Sequence, residues 1–189
     1  MTDTFLPQKG NYRKLIAFQK AQCIYDITYY FAHKYLVKGD RTIDQMVQAA
    51  RSGRQNIAEG SAAAATSAET EIKLINVARA SLQELLLDYE DFLRVRNLCI
   101  WDVNSEKAIV TRRVCAGHND SAFYIEKIKE RSAETIANIA ITLIHQTDVF
   151  LRKLLDRLQN DFLRNGGIKE QMYRARTEYR SQNKKYSSR

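Results

Sequence analysis

Residues 66–96 read TSAETEIKLINVARASLQELLLDYEDFLRVR, and this stretch decides the fold. Thr66, with Glu69 three residues later, fits a helix-capping box. The apolar side chains then recur at steps of three and four residues, which collects them on one face of an α-helix. They are Ile72, Ile75, Ala78, Leu82, Leu85/Leu86, Tyr89 and Phe92/Leu93. We predict a helix here that ends near Arg96 and buries one face.

Three other segments have the same period, and we predict a helix for each. The first covers residues 11–37, the second opens at Thr42 with Gln45 as its capping partner, and the fourth begins between Ser121 and Ser132. The predicted buried positions of the first helix are Leu15, Phe18, Gln22, Tyr25, Tyr29, Ala32 and Leu36. Those of the second helix are Ile43, Met46/Val47, Ala50, Gly53/Arg54, Ile57, Gly60/Ser61 and Ala64. Those of the fourth helix are Ile136, Ile139/Ala140, Leu143, Thr147, Phe150/Leu151, Leu154, Leu158 and Phe162. Gly53 and Gly60 indicate either a close approach of a neighbouring backbone or tolerated slack.

The fourth helix meets a strong stop at Asn165, Gly166 and Gly167, because a left-handed residue often caps a helix C-terminus. Residues 168–180 then predict a fifth, short, basic helix, and residues 181–189 are expected to fray. The chain therefore reads as an all-α protein. We predict an antiparallel up-and-down four-helix bundle over residues 1–166 and a basic suffix helix with a frayed tail over residues 167–189.

A long connection over residues 98–120 separates the third and fourth helices and has no helical period. Residues 107–112 read as either a short strand or an irregular excursion. Loops of this length in a compact domain are often functional or mobile, but the residues here indicate no particular role.

The composition excludes several classes of protein. The chain has 189 residues, of which 44% are hydrophobic, enough for a packed core. It has no run of about 18 apolar residues and no signal-peptide core in its first ten residues, so we expect a cytoplasmic protein without a membrane span. Cys23, Cys99 and Cys115 have no paired spacing and read as reduced thiols.

Two motifs in the second and third helices resemble a known bacterial family. Ala50-Arg-Ser-Gly-Arg-Gln-Asn56-Ile-Ala-Glu59-Gly60 resembles the signature S-x-x-x-N-I-A-E-G, and Ala78-Arg-Ala-Ser81-Leu-Gln-Glu84-Leu resembles A-x-x-S-L-x-E-L. The family is that of four-helix-bundle proteins encoded in intervening sequences of bacterial 23S ribosomal RNA genes. It includes the accessory variability determinants of diversity-generating retroelements. The resemblance covers residues 12–162, while the long connection and the suffix depart from the family pattern.

The resemblance implies a homopentamer of up-and-down bundles arranged as a barrel. For the retroelement members it also implies binding to nucleic acid and to a reverse transcriptase. The suffix is similar to one that a subset of the family carries. These are expectations about fold and partners, and function does not follow from fold alone.

The structural motif of the second and third helices comprises four polar residues beside the buried stripes and one glycine: Asn56, Glu59, Ser81, Glu84 and Gly60. A carboxylate there could bind a cation or act as a base. We favour a structural role, in which Asn56 and Glu59 meet Ser81, Arg79 or Glu84 and fix the register of the two helices.

The sequence contains no recognisable catalytic or cofactor-binding constellation. His33, His118 and His145 do not occur in the Glu-x-x-His pairs of di-iron bundles, and no phosphate loop or catalytic triad pattern stands out. Cys115 and His118 have a metal-like spacing, but a closed zinc site needs a second pair. We expect a non-catalytic protein with no metal and no cofactor.

The suffix carries most of the charge. Residues 164–189 hold eight basic and two acidic residues, a net charge of +6 out of +8. Cations neutralise phosphates, and aromatic rings stack on unpaired bases. The candidate nucleic-acid-binding residues are Arg164, Lys169, Tyr173, Arg174, Arg176, Tyr179, Arg180, Lys184 and Lys185.

Two alternatives remain open for the suffix: a helix that docks on an acidic protein through Ile168, Met172 and Tyr179, and a charged tail that only confers solubility. The tyrosines of the first helix are expected in the core or at subunit contacts. We expect a non-catalytic oligomer, a homopentamer by resemblance, that binds RNA or single-stranded DNA, and a reverse transcriptase is a further candidate partner. The alternative is a structural or adaptor ring that binds protein.

Overall fold

The computed structural model describes the backbone of residues 11–186 and the side chains of residues 11–181. A single 3-10 turn, Tyr12–Lys14, precedes seven α-helices in this part of the chain. They are α1 (Ile16–Tyr35), α2 (Arg41–Ala63), α3 (Ala68–Val95), α4 (Glu106–Gly117), α5 (Ser121–Ile128), α6 (Ala133–Asn165) and α7 (Ile168–Tyr186). The described residues contain no strand, so the all-α prediction is confirmed. None of these helices combines the length and apolar character needed to cross a bilayer.

Four long helices enclose the core. α1 packs against α2 and α6, and α3 packs against the same two helices. α2 and α3 are antiparallel, because Gly53 faces Ala78 and Leu82 while Gly60, farther along α2, faces Ile75. A Cβ atom on Gly53 would lie 2.7 Å from Cδ2 of Leu82. The predicted close approach at these glycines is therefore confirmed.

An aromatic cluster fills the centre of this core. The rings of Phe31 and Tyr89 lie 5.1 Å apart, and those of Phe31 and Phe92 lie 4.7 Å apart in an edge-to-face arrangement. The hydroxyl of Tyr89 donates a hydrogen bond to Oγ1 of Thr28 at 2.9 Å, so the phenol is satisfied although it is fully buried. This cluster joins α1 to α3.

The predicted buried stripe of α3 agrees with the structure, whereas that of the first helix is confirmed only in part. Ala32 and Leu36 are buried as predicted. Leu15 and Tyr25 are partly buried against the core. The buried aliphatic and aromatic residues of α1 include Ile24, Ile27 and Phe31, whereas Phe18 is partly exposed and Tyr29 is 51% exposed. α1 contacts α2, α5 and α6, so its buried face is broad and contains small and aliphatic side chains. Its tyrosines lie at the border, where a ring can pack and its hydroxyl can meet a polar partner.

Helix ends lie close to their predicted positions, with corrections to the caps. The side chain of Asp40 caps α2 by accepting from the Thr42 amide at 2.9 Å, and Ser67 caps α3 in place of Thr66. α6 ends as predicted, since Gly166 adopts a positive φ of 70° and its amide donates to the Phe162 carbonyl. α7 continues to Tyr186 instead of fraying after Arg180, while residues 187–189 lie outside the described residues.

Residues 98–120 are not the irregular or strand-like connection that we predicted. They contain α4, which Ser105 caps by accepting from the Ala108 amide at 3.3 Å. Only Ala108 and Cys115 of α4 are buried, which is why no apolar period is visible in the sequence. Asn138 of α6 anchors the segment before α4, since its side chain donates to the Cys99 carbonyl and accepts from the Trp101 amide, both at 2.9 Å.

Candidate nucleic-acid interface

One face of α7 combines cations with an aromatic ring. Lys169, Tyr173, Arg176 and Arg180 are spaced four, three and four residues apart, so they share one side of the helix. All four side chains are exposed, and Tyr173 is 73% exposed. At a rise of 1.5 Å per residue this face is about 16 Å long. We call it the basic face.

Three other predicted suffix residues with described side chains do not belong to the basic face. Tyr179, 66% exposed, lies on the side of Met172 and the half-buried Ala175, and Arg174 lies apart from both sets. Arg164 is exposed in the last turn of α6, before the two glycines. Lys184 and Lys185 occupy the last turn of α7, and their side chains lie outside the described residues. Of the seven predicted positions whose side chains the structure describes, four thus lie on the basic face.

The cations of the basic face are available to a ligand. Glu170 Oε2 accepts the amide of Gly167 at 2.7 Å, which satisfies a free amide at the start of α7 and occupies this carboxylate locally. Among the described residues, no ion pair involves Lys169, Arg176 or Arg180. Unpaired, exposed cations can neutralise phosphates at little desolvation cost.

The polar motif of α2 and α3 forms a smaller network than predicted. Asn56 Nδ2 donates to the carbonyl and the hydroxyl of Ser52 at 2.9 and 3.1 Å, and Ser52 Oγ lies 2.9 Å from Ser81 Oγ. Glu59 is exposed and instead accepts from Gln55 at 3.0 Å. Our prediction that Glu59 joins this network was wrong, because its position on α2 faces solvent.

The two remaining partners proposed for the network also lie elsewhere. Glu84 is exposed on α3. Arg79 reaches α6, where its Nε lies 2.8 Å from Asp148 Oδ1. Ser52 and Ser81 therefore join α2 to α3, and Asn56 holds Ser52 from within α2. The charged residues contribute to other contacts.

A row of aromatic rings lies on the surface of α1. The guanidinium of Arg54 lies 4.3 Å from the ring centroid of Tyr25. Tyr25 and Tyr29 follow at 6.4 Å, and Tyr29 and His33 at 4.3 Å. Since Tyr29 is half exposed, this row is accessible and Tyr29 does not lie in the core of the chain. The alternative that we gave for these tyrosines, a contact between subunits, stays a prediction.

Sequence reasoning missed a buried lysine. The side chain of Lys20 is 1% exposed and its Nζ donates to the carbonyl of Cys115 at 2.5 Å. Burial lowers the pKa of Lys20 and raises the pKa of the nearby Cys23 thiol to about 12. A cation at the C-terminal carbonyls of α4 interacts favourably with the helix dipole. The sequence feature that could have predicted the burial of Lys20 is its position between Ala17 and Ala21, on the aliphatic face of α1.

Buried thiol and phenol groups make the stability of the fold depend on pH in the alkaline range. Burial raises the pKa values of Cys23, Cys115, Tyr124 and Tyr89, so the folded chain keeps protons that the unfolded chain releases. Folding therefore becomes less favourable as pH rises from about 9 to about 12, although the lowered pKa of Lys20 acts in the opposite sense. We expect the melting temperature to fall over this range and the fall to be smaller in Cys23→Ala. An unchanged melting temperature between about pH 8 and about pH 11 would contradict the assignment.

The predicted metal-like spacing does not assemble a metal site. Cys115 is buried under Lys20, Cys99 is exposed, and the His118 ring stacks on Phe123 with centroids 3.7 Å apart. The described residues contain no cluster of three or more His, Cys, Asp or Glu side chains that could hold a metal ion.

Comparisons with protein-family models, with curated proteins and with solved structures find no match.

Proposed function

We propose that this chain is a non-catalytic protein that binds single-stranded RNA or DNA through the basic face of α7. The observation that carries the proposal is the placement of Tyr173 among Lys169, Arg176 and Arg180 on one exposed helix face. Phosphate contacts release counterions and supply affinity, while a ring between them stacks on an unpaired base. A double helix hides its bases, so this combination favours a single strand.

Assembly would multiply this weak site. We propose that α1, α2, α3 and α6 form an antiparallel up-and-down four-helix bundle and that five copies assemble as a ring, as the resemblance of the α2 and α3 motifs implies. Five linked tails gain affinity through effective concentration without any new contact. In the retroelement setting, a reverse transcriptase would be the protein partner. The exposed row from Tyr25 to His33 offers an aromatic surface for contact between copies.

Light scattering tests the assembly. We expect a particle of about five times the chain mass of 21.9 kDa. A monomer at micromolar concentration would contradict the proposed assembly. A smaller oligomer would contradict the number of five copies but not the assembly itself.

A matched pair of tyrosine substitutions tests the binding site. Tyr173→Ala should weaken binding to a labelled single strand by about 1–3 kcal/mol, the range for one base–aromatic stack. The slope of log affinity against log salt should stay unchanged, because stacking releases no counterions. Tyr179→Ala is the control, since Tyr179 lies off the basic face. An equal loss in both variants would indicate a nonspecific effect on α7, and a loss only in Tyr179→Ala would place the binding surface on the other side.

A second candidate function rests on that other side. Met172 is 53% exposed and Tyr179 is 66% exposed, beside the half-buried Ile168. An exposed apolar edge flanked by cations suits an acidic protein partner, as in amphipathic helices that dock in a groove. This adaptor function predicts that oligonucleotides bind neither the intact chain nor its variants.

A further inference from the structure

A cleft opens between α4 and α5. α4 packs against α6 while α5 packs against α1, and the space between them has a volume of about 580 Å³. Thr135 and Ile139 of α6 line it from one helix, and Trp101 contributes from the segment before α4. Small-molecule sites in proteins commonly have volumes of this size.

The walls of the cleft are apolar surface that the chain itself leaves open. Val110 and Val114 of α4 line it and are 48% and 37% exposed. From α5, the ring of Phe123 lines it, stacked on His118 with an interplanar angle of 6°. An apolar body that fills the cleft would remove these valines and this flat surface from water, which is favourable.

The charges around the cleft are unbalanced. Lys107, Lys127 and Arg131 line it with a single carboxylate, Glu106, which leaves a net charge of +2. Within the described residues none of these three cations forms an ion pair. Lys107 lies 5.9 Å from the Trp101 ring and Lys127 lies 5.1 Å from the Phe123 ring, so two of the cations lie next to aromatic walls. An acidic group held beside an apolar body would meet them.

We propose that the cleft between α4 and α5 binds a small amphiphilic anion, with an apolar body against Val110, Val114 and Phe123 and one acidic group at Lys127 and Arg131. The site uses neither α7 nor any residue assigned to nucleic-acid binding. The tests of this cleft and of the proposed function are therefore independent of each other.

The test uses Trp101, which lines the cleft and is the single tryptophan of the chain. Anilinonaphthalene sulfonate, whose phenyl and naphthalene rings form an apolar body with one acidic group, should bind the full-length protein saturably, with one molecule per chain, and quench the fluorescence of Trp101. The double variant Lys127→Gln/Arg131→Gln should weaken it by about tenfold or more, since each hydrogen bond to a charged group contributes about that factor. Arg113→Gln/Lys153→Gln removes two exposed cations elsewhere and should bind normally.

Two further measurements complete the test. Val110→Glu adds a carboxylate to the exposed cleft wall and should abolish binding while circular dichroism stays unchanged. Phenylnaphthylamine, the same rings without the acidic group, should bind at least about tenfold more weakly than the sulfonate. Competition by decanoate or by naphthoate distinguishes an alkyl from an aromatic acid as the ligand class. Equal binding of the neutral probe, or equal loss in the control variant, would overturn the proposal, as would an unchanged affinity in both cleft variants.

Discussion

Removal of residues 167–189 should abolish most of the affinity for single-stranded nucleic acid. The truncation removes seven basic and two acidic residues and leaves a net charge of +3. For the intact chain, log affinity should fall linearly with log salt, with a slope of about −0.7 for each phosphate neutralised. Three phosphate contacts, one for each described cation of the basic face, give a slope of about −2 per tail. A salt titration of both proteins on one labelled oligonucleotide measures this.

The truncated protein should fold normally, which makes the comparison interpretable. No described residue of α7 belongs to the buried core, and α6 already ends at the left-handed Gly166. Circular dichroism and light scattering check folding and assembly. If both proteins bind equally, the site lies on the helices that precede α7, where Arg51 and Arg54 of α2 would be the next residues to test.

A charge-matched pair of variants separates the basic face from net charge. Lys169, Arg176 and Arg180 changed to Gln should reproduce most of the loss. Lys38, Arg113 and Lys153 changed to Gln remove the same charge from exposed positions outside α7 and should have a small effect. Equal losses would mean that the total charge, and not the face, determines binding.

The sequence predicts some helices of this protein better than others for a physical reason. α3 contributes a single stripe to the core, so its apolar residues recur cleanly and the prediction of Ile75, Leu82 and Tyr89 as buried is confirmed. α4 packs mainly against one long helix, α6, and exposes much of its apolar surface to the cleft, so it has no period to detect. The glycines of α2 could be interpreted correctly because close backbone approach is one of the few reasons to place glycine inside a helix.

The composition of the candidate site and the division of its residues between two sides of a helix both follow from the sequence, because spacing alone fixes which residues share a face. The structure adds that α7 runs without a break from Ile168 to Tyr186 and that its described cations form no ion pair. The prediction of the polar motif, in contrast, was wrong in part: Asn56 and Glu59 are three residues apart, yet only Asn56 reaches Ser52, and Glu59 turns to Gln55. Spacing places two residues near one face but does not fix which of them is buried.

The face of α1 that is buried can be decided by one pair of substitutions. Phe31→Ala should lower the free energy of unfolding by about 3–5 kcal/mol, the range for truncating a buried aromatic residue. Phe31 is fully buried and contacts both Tyr89 and Phe92, so its loss leaves a cavity between α1 and α3. Tyr29→Ala, two residues earlier on the same helix, removes a half-exposed ring and should change stability by about 0.5 kcal/mol or less in a single chain. Denaturant midpoints with unchanged slopes measure both.

Denaturant midpoints measured at several protein concentrations show whether Tyr29 lies at a contact between copies, which a midpoint at one concentration does not show. If Tyr29 lies at a contact between copies, the effect of Tyr29→Ala grows as the protein is concentrated, because association stabilises the folded state by mass action. The direct effect of the Phe31→Ala cavity is present at every concentration, since that cavity lies within one chain. A large, concentration-independent loss in Tyr29→Ala with a small loss in Phe31→Ala would mean that α1 presents its tyrosines to the core, as the spacing of Tyr25 and Tyr29 first suggested. Loss in Phe31→Ala alone, at every concentration, would leave the row from Tyr25 to His33 free for a partner other than a second copy.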